Sequence, residues 1–234
     1  MTNVIEIFSS IQGEGRYVGS RQIFVRTADC NLNCAYCDTN FARADFCSVE
    51  TSAGSMTFTQ IPNPVSAAEV AAIIKKFSGE IPTQAVSFTG GEPLIHWEFI
   101  REVAALIDLK ILLETNGTLP AELAKILDAV DIISMDIKLT GGDFFEVHRE
   151  FLKLARTKDF YVKIVMTGST TLAEFEEALA ILEPEDMLIL QPVTPTKNVE
   201  PISARKILEL QALASRKIKN VRVIPQTHRM LKIF

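Results

Sequence analysis

Short β-type runs alternate with helical stretches along most of this chain, and that alternation restricts its fold more than any other feature. The runs AVSF (85–88), KILLE (110–114), DIISMDI (131–137), FYVKIVM (160–166), MLILQ (187–191) and NVRVI (220–224) are short, apolar and rich in β-branched residues. Between them, stretches at about 67–78, 95–107, 120–129, 146–156, 172–182 and 203–217 repeat apolar residues at intervals of three and four. Ser66 and Ser203 stand where helix N-caps belong. Strand, helix, strand repeated about six times predicts parallel strands joined by right-handed crossovers. The fold class is therefore α/β, as a closed or partly closed β/α barrel or an open doubly wound sheet.

The chemistry-bearing residues fall at one end of these strands. Gln22 to Arg26 (QIFVR) reads as a strand leading into CNLNCAYC, TGGEP follows AVSF, TNGT follows KILLE, Lys138 follows DIISMDI, and QPVTP begins at the end of MLILQ. Barrels and α/β sheets place their sites at that end. Residues 40–66 form one long excursion, read as a lid or an insertion, with Cys47 in a polar loop.

At 234 residues, 47% hydrophobic and 23% charged, the chain fits one globular domain spanning 1–234. A net charge of -5 without a dense Lys/Arg block argues against direct nucleic-acid binding. No apolar run approaches the ~18 residues that span a bilayer, and no basic-then-apolar leader opens the chain, so no membrane partner and a cytoplasmic location are expected.

Cys30, Cys34 and Cys37 follow a C-x3-C-x2-C spacing. Three thiolates this close suit three irons of a cubane cluster with the fourth iron left open, although thiolates also suit zinc. Structural zinc takes four protein ligands, and neither Cys47 nor His96, His148 and His228 has a spacing that supplies a fourth.

With Tyr36 just before the last cysteine and TGGEP at 89–93, the motif resembles the radical S-adenosylmethionine (SAM) superfamily. The blocks SIQGEG, CNLNCAYCDT, TGGEP, ETNGT and the tail IPQTHRMLKIF resemble the 7-carboxy-7-deazaguanine synthases over nearly the whole chain. The resemblance implies a partial or modified (β/α)6 TIM-like radical SAM barrel and a homodimer. It also implies a [4Fe-4S] cluster on Cys30, Cys34 and Cys37, SAM on the open iron, and Mg²⁺ with Thr39 as ligand. A reducing donor such as a flavodoxin or ferredoxin would supply the electron. The substrate would be a small pterin, 6-carboxy-5,6,7,8-tetrahydropterin, contracted to 7-carboxy-7-deazaguanine on the way to queuosine and related deazapurines.

By the same resemblance, Ile11, Gln12, Gly13, Glu14, Arg26, Thr89, Gln226, His228 and Phe234 would bind substrate, with Arg26 clamping its carboxylate. Glu114 would shuttle a proton or pair with a pterin nitrogen. Tyr36, Cys37, Asp38, Gly91, Ser134, Met135, Asp136, Lys138 and Gln191 would serve the cluster and SAM. Ser134, Asp136 and Lys138 alternate along SMDIK and so can share one face. Two other readings predict different sites. An enzyme that installs a radical on a partner protein needs no pterin pocket, and an Fe–S electron carrier or zinc module supplies every metal ligand from protein.

Overall fold

The computed structural model describes residues 1–37, 39–139, 144–195 and 199–233. The strands are β1 (Val4–Ile11), β2 (Arg21–Thr27), β3 (Phe46–Glu50), β4 (Phe58–Pro62), β5 (Ala85–Gly90), β6 (Ile111–Thr115), β7 (Ile132–Asp136), β8 (Asp159–Met166), β9 (Met187–Pro192) and β10 (Asn220–Val223). The helices are α1 (Ala67–Glu80), α2 (Trp97–Ala104), α3 (Pro120–Ile126), α4 (Phe145–Ala155), α5 (Leu172–Ala180), α6 (Ala204–Ala214) and the short tail helix α7 (Thr227–Leu231). Among the described residues the strands form one sheet in the order β10-β9-β8-β7-β6-β5-β2-β1-β3-β4.

From β2 through β5 to β10 every neighbouring pair is parallel, and α1 to α6 supply the six crossovers. The sheet ends on β10 and β4 without joining them, which is a partial barrel and not a closed one. Ser66 caps α1 through a full capping box with Glu69, and Ser203 caps α6, so both expected caps are present.

Alternation along each strand sorts residues between two environments. Outward side chains such as Val25, Val86, Phe88, Leu113, Ile133, Val162 and Leu190 join the helices in the main core. The inward set is layered. Ala85, Leu112, Ile132, Tyr161, Met187 and Ile189 form a second, apolar cluster that closes the barrel interior toward the strand amino ends. One step up each strand stand Ser87, Glu114, Ser134, Lys163 and Gln191, so a polar ring rests on an apolar floor.

One expectation needs correction, the placing of Cys47 in a polar loop. The segment NVIEIFSS, ahead of QIFVR, is a further strand, β1, antiparallel to β2. Both faces of β1 are occupied, Ile7 in the main core and Phe8 stacked on Phe24 at 5.1 Å, which is why its sequence lacks an amphipathic alternation. Residues 40–66 are mainly the β3–β4 hairpin, which widens the sheet through a parallel pairing of β3 with β1. Cys47 lies in β3, fully buried in the core, and not in a polar loop. Burial pushes its thiol up to about 12, which suits an inert packing residue.

Candidate active site

A cavity of about 930 Å³ opens at the carboxyl ends of the parallel strands above the polar ring. Its rim is the loop after β2. Asp29 adopts a left-handed backbone (φ 64°), its carbonyl accepts from Glu92 N at 2.8 Å, and its carboxylate is gripped by Arg43. A Cβ on Gly91 would overlap the Asp29 carbonyl oxygen, so the double glycine of TGGEP is what lets the β5 loop lie against the cysteine loop. Glu92, fully buried, accepts from Leu94 N, Asn116 N and Thr115 Oγ1 and ties this loop to TNGT; burial raises its carboxyl to about 7.

Cys30, Cys34 and Cys37 all line this cavity. Burial raises the thiols of Cys30 and Cys34, and a cation bound beside them would favour the thiolates. Among the described residues no three His, Cys, Asp or Glu side chains crowd close enough to share a single metal ion. Each thiolate of a cubane takes its own iron, so cluster ligands need not crowd in that way. Two buried acceptors lining the same cavity, Asp136 Oδ1 and Gln191 Oε1, lack hydrogen-bond partners among the described residues. Lys138 donates to Asp136 Oδ2 at 2.8 Å and sits 5.4 Å from the centre of the Tyr36 ring. Burial opposes the Lys138 charge, but Asp136 beside it holds the ammonium firmly protonated. Thiols, free acceptors and a fixed cation fit a cluster carrying a zwitterionic amino-acid ligand.

The cavity also holds a second polar set. Glu114 Oε1 accepts from Gln12 Nε2 at 3.0 Å and from Ser87 Oγ at 2.8 Å. Gln12 also donates to Gln22 and accepts from Glu14 N, so its amide is engaged by protein groups at both ends. Glu14 pairs with Lys163 and accepts from Gln226 Nε2 at 2.8 Å. Burial alone would raise the Glu14 carboxyl, but the Lys163 ammonium overrides it and holds the group at about 2. Arg26 Nε donates to Glu6 Oε1 at 2.6 Å, and its guanidinium lies 5.9 Å from the Phe8 ring centre. The tail docks on the loop after β1: Thr227 N and Oγ1 both donate to Gly13 O, and a Cβ on Gly13 would overlap the His228 ring.

The structure thus brings to one cavity the residues Ile11, Gln12, Gly13, Glu14, Arg26, Thr89, Glu114, Gln226 and His228, together with Tyr36, Thr39, Gly91, Ser134, Asp136, Lys138 and Gln191. Met135 is a correction. Its position on β7 has the opposite parity, and its side chain is buried in the main core beneath Gly117, so it presents no side chain to SAM. Asp38 and Phe234 lie outside the described residues. Lys163, Glu6 and Ser87 also shape the site and were not anticipated. For Lys163 a signal existed in the lone charge inside FYVKIVM, two positions from the inward Tyr161.

Three cysteines at the carboxyl end of a parallel strand, in a six-crossover partial barrel, define a radical SAM enzyme, and residues 24–182 match the radical SAM superfamily. The chain is 40% identical to the 7-carboxy-7-deazaguanine synthase of Geobacter sulfurreducens, over 97% of this chain and 95% of that one. It is 36% identical to the enzyme of the same name from Methanothermobacter thermautotrophicus, over 97% and 96%. Within the superfamily, this chain belongs to the 7-carboxy-7-deazaguanine synthases. The same fold occurs in the crystal structure of QueE from Escherichia coli (TM-score 0.63, 21% identity, covering 97% of this chain and 94% of that one). It also occurs in Streptococcus suis SuiB bound to precursor peptide SuiA (TM-score 0.61, 14% identity, 86% and 47%). No helix among the described residues is long and apolar enough to cross a membrane.

Proposed function

We propose that this chain acts as one radical SAM domain that converts 6-carboxy-5,6,7,8-tetrahydropterin to 7-carboxy-7-deazaguanine with loss of ammonia, feeding queuosine and related deazapurines. The observation that carries this reading is that one cavity is walled by the three cysteines together with Arg26, Glu14 and Glu114. Such a wall matches a small planar ligand with one carboxylate and an edge of N–H groups.

Cys30, Cys34 and Cys37 hold the cluster, while Asp136, Lys138, Gln191 and Ser134 orient SAM. When bound, this pair supplies the one-electron chemistry that generates a hydrogen-abstracting radical. Arg26, set by Glu6, receives the substrate carboxylate. Glu14 accepts from the N–H edge, and Glu114 Oε2, the less engaged of its two oxygens, takes or returns a proton at the ring. Thr39 lines the cavity beside the cysteines and offers oxygen to Mg²⁺, a cation that prefers such ligands. Tyr36 and the apolar floor exclude water from the reacting face. We assign the enzyme to the cytoplasm as a homodimer reduced by a flavodoxin or ferredoxin.

The test is anaerobic reconstitution with iron and sulfide, then reduction and addition of SAM, Mg²⁺ and 6-carboxytetrahydropterin. Mass spectrometry should show 7-carboxy-7-deazaguanine, and Cys34→Ala should abolish it. Cleavage of SAM with the pterin untouched would refute the substrate assignment.

A further inference from the structure

Lys163 is the one lysine on the inward face of β8, and its side chain is 9% exposed at the cavity wall. A lone ammonium at such a depth is costly, and a compensating partner sits against it, the Glu14 carboxylate, 149 positions away in sequence. The two come from different elements, the loop after β1 and the middle of β8, so only the folded barrel brings them together. The groups facing the pair are limited. Asp136 of β7 and Glu114 of β6 face Lys163; His228 and Gln226 of the tail face Glu14; and Tyr161, on the same strand, senses Glu14 from the floor.

The pairing leaves a defined acceptor pattern. A carboxylate offers about four lone-pair positions. Lys163 takes one on Oε2 and Gln226 takes one on Oε1, leaving an acceptor position on each oxygen. Two adjacent N–H groups, the 2-amino group and N3–H of a pterin lactam, match that remainder.

We propose that Lys163 is a positioning and specificity-determining residue, which pairs with Glu14 and aims it so that it reads the donor edge of the pterin. This inference rests on the pterin reading above and adds to it a residue, a partner and a reason for selectivity. Without the ammonium, a buried Glu14 takes up a proton, one acceptor becomes a donor, and the N–H edge meets a mismatched group. Raising the pH ionises Glu14 again and restores the match, whereas in the native protein Glu14 is already ionised well below neutrality.

The experiment is fluorescence titration of the SAM-loaded, reconstituted holoenzyme with oxidised, fluorescent 6-carboxypterin, from mildly acidic to mildly alkaline pH. Each variant is compared with the wild type at the same pH, so that ionisation of the pterin itself cancels. Lys163→Met should weaken binding about 10- to 100-fold at pH 7, the scale of a lost charge-assisted hydrogen bond, with the deficit shrinking as pH rises. Lys163→Arg, which keeps the cation, should recover most of the affinity. A purely structural lysine would lower the melting temperature without creating this pH dependence. If the buried carboxylate prevents Lys163→Met from folding, the neutral pair Glu14→Gln/Lys163→Met removes both charges and is compared with Glu14→Gln alone. Equal affinities support action through Glu14, whereas a further tenfold loss means that Lys163 contacts the pterin itself and overturns the proposal. Wild-type affinity and pH profile in Lys163→Met would also overturn it. Failure of the wild type to bind the probe or turn over the pterin would instead refute the functional reading.

Discussion

Gln12 Nε2 donates to Glu114 Oε1 at 3.0 Å across 102 positions of sequence, joining the loop after β1 to the middle of the barrel. Both Nε2 hydrogens of Gln12 are committed, to Glu114 and Gln22, and its oxygen accepts from Glu14 N. Gln12 therefore fixes the rotation of Glu114 and leaves Oε2 the less engaged of its two oxygens. Gln12→Leu should lower kcat about 10- to 100-fold, the scale of a misplaced catalytic group, with a smaller change in KM. It should also cost about 1–3 kcal/mol in stability, because Gln22 Oε1 loses its donor in a buried site. Steady-state kinetics and denaturant melts separate the two effects.

The four cysteines should divide three to one. Cys30, Cys34 and Cys37 share the cavity, whereas Cys47 packs within β3 among core side chains. Replacing any of the three with Ala should remove the visible iron–sulfur absorption and product formation together. Cys47→Ala should keep iron content and turnover near wild type while costing about 1 kcal/mol, as for loss of one buried heavy atom. Iron and sulfide assays on the four variants check the division.

The parallel part of this fold was legible because its helices bury only one face and its strands stop at turn residues after a few positions. β1 was not, since a strand packed on both sides carries no alternation, and its antiparallel entry needs no helix to announce it. Cys47 misled for a local reason. Its neighbours Asp45 and Ser48 are polar, but the hairpin register points Cys47 inward. The site was legible where motifs are contiguous, as in CNLNCAYC and TGGEP. It was hidden where function depends on strand parity and on partners far apart in sequence, as for Met135 and for Lys163 with Glu14.

His148 on α4 is fully buried and bonds through Nε2 to the carbonyl oxygen of Asn116 at 3.0 Å, and burial lowers its pKa from 6.5 to about 4. The folded protein thus prefers neutral His148, while the unfolded chain protonates it below 6.5. Its contribution to stability is fully present above pH 6.5 and is lost as pH falls through about 4, amounting to ~3 kcal/mol by linkage. His148→Leu should be less stable by about 1 kcal/mol at pH 7.5 for the lost hydrogen bond. Between pH 6.5 and 4.5 it should lose less stability than the wild type, as melting temperatures would show. Parallel curves over that range would mean that His148 does not titrate as its burial requires.

Arg26 reaches the cavity with its Nε already given to Glu6, which leaves the terminal guanidinium nitrogens as the free fork. Lysine keeps the charge but loses both the fork and the Nε–Glu6 tether, so Arg26→Lys tests geometry and not charge. KM for the carboxypterin should rise about 10- to 100-fold with a smaller change in kcat, since a bidentate, charge-assisted contact is made in the ground state as well as in the transition state. Glu6→Gln retains an acceptor for Nε and should show a smaller rise in the same direction. A pterin analogue without the carboxylate isolates the contact. It should bind the wild type and Arg26→Lys with equal, weak affinity, whereas a persisting difference would place Arg26 on the ring and not on the carboxylate.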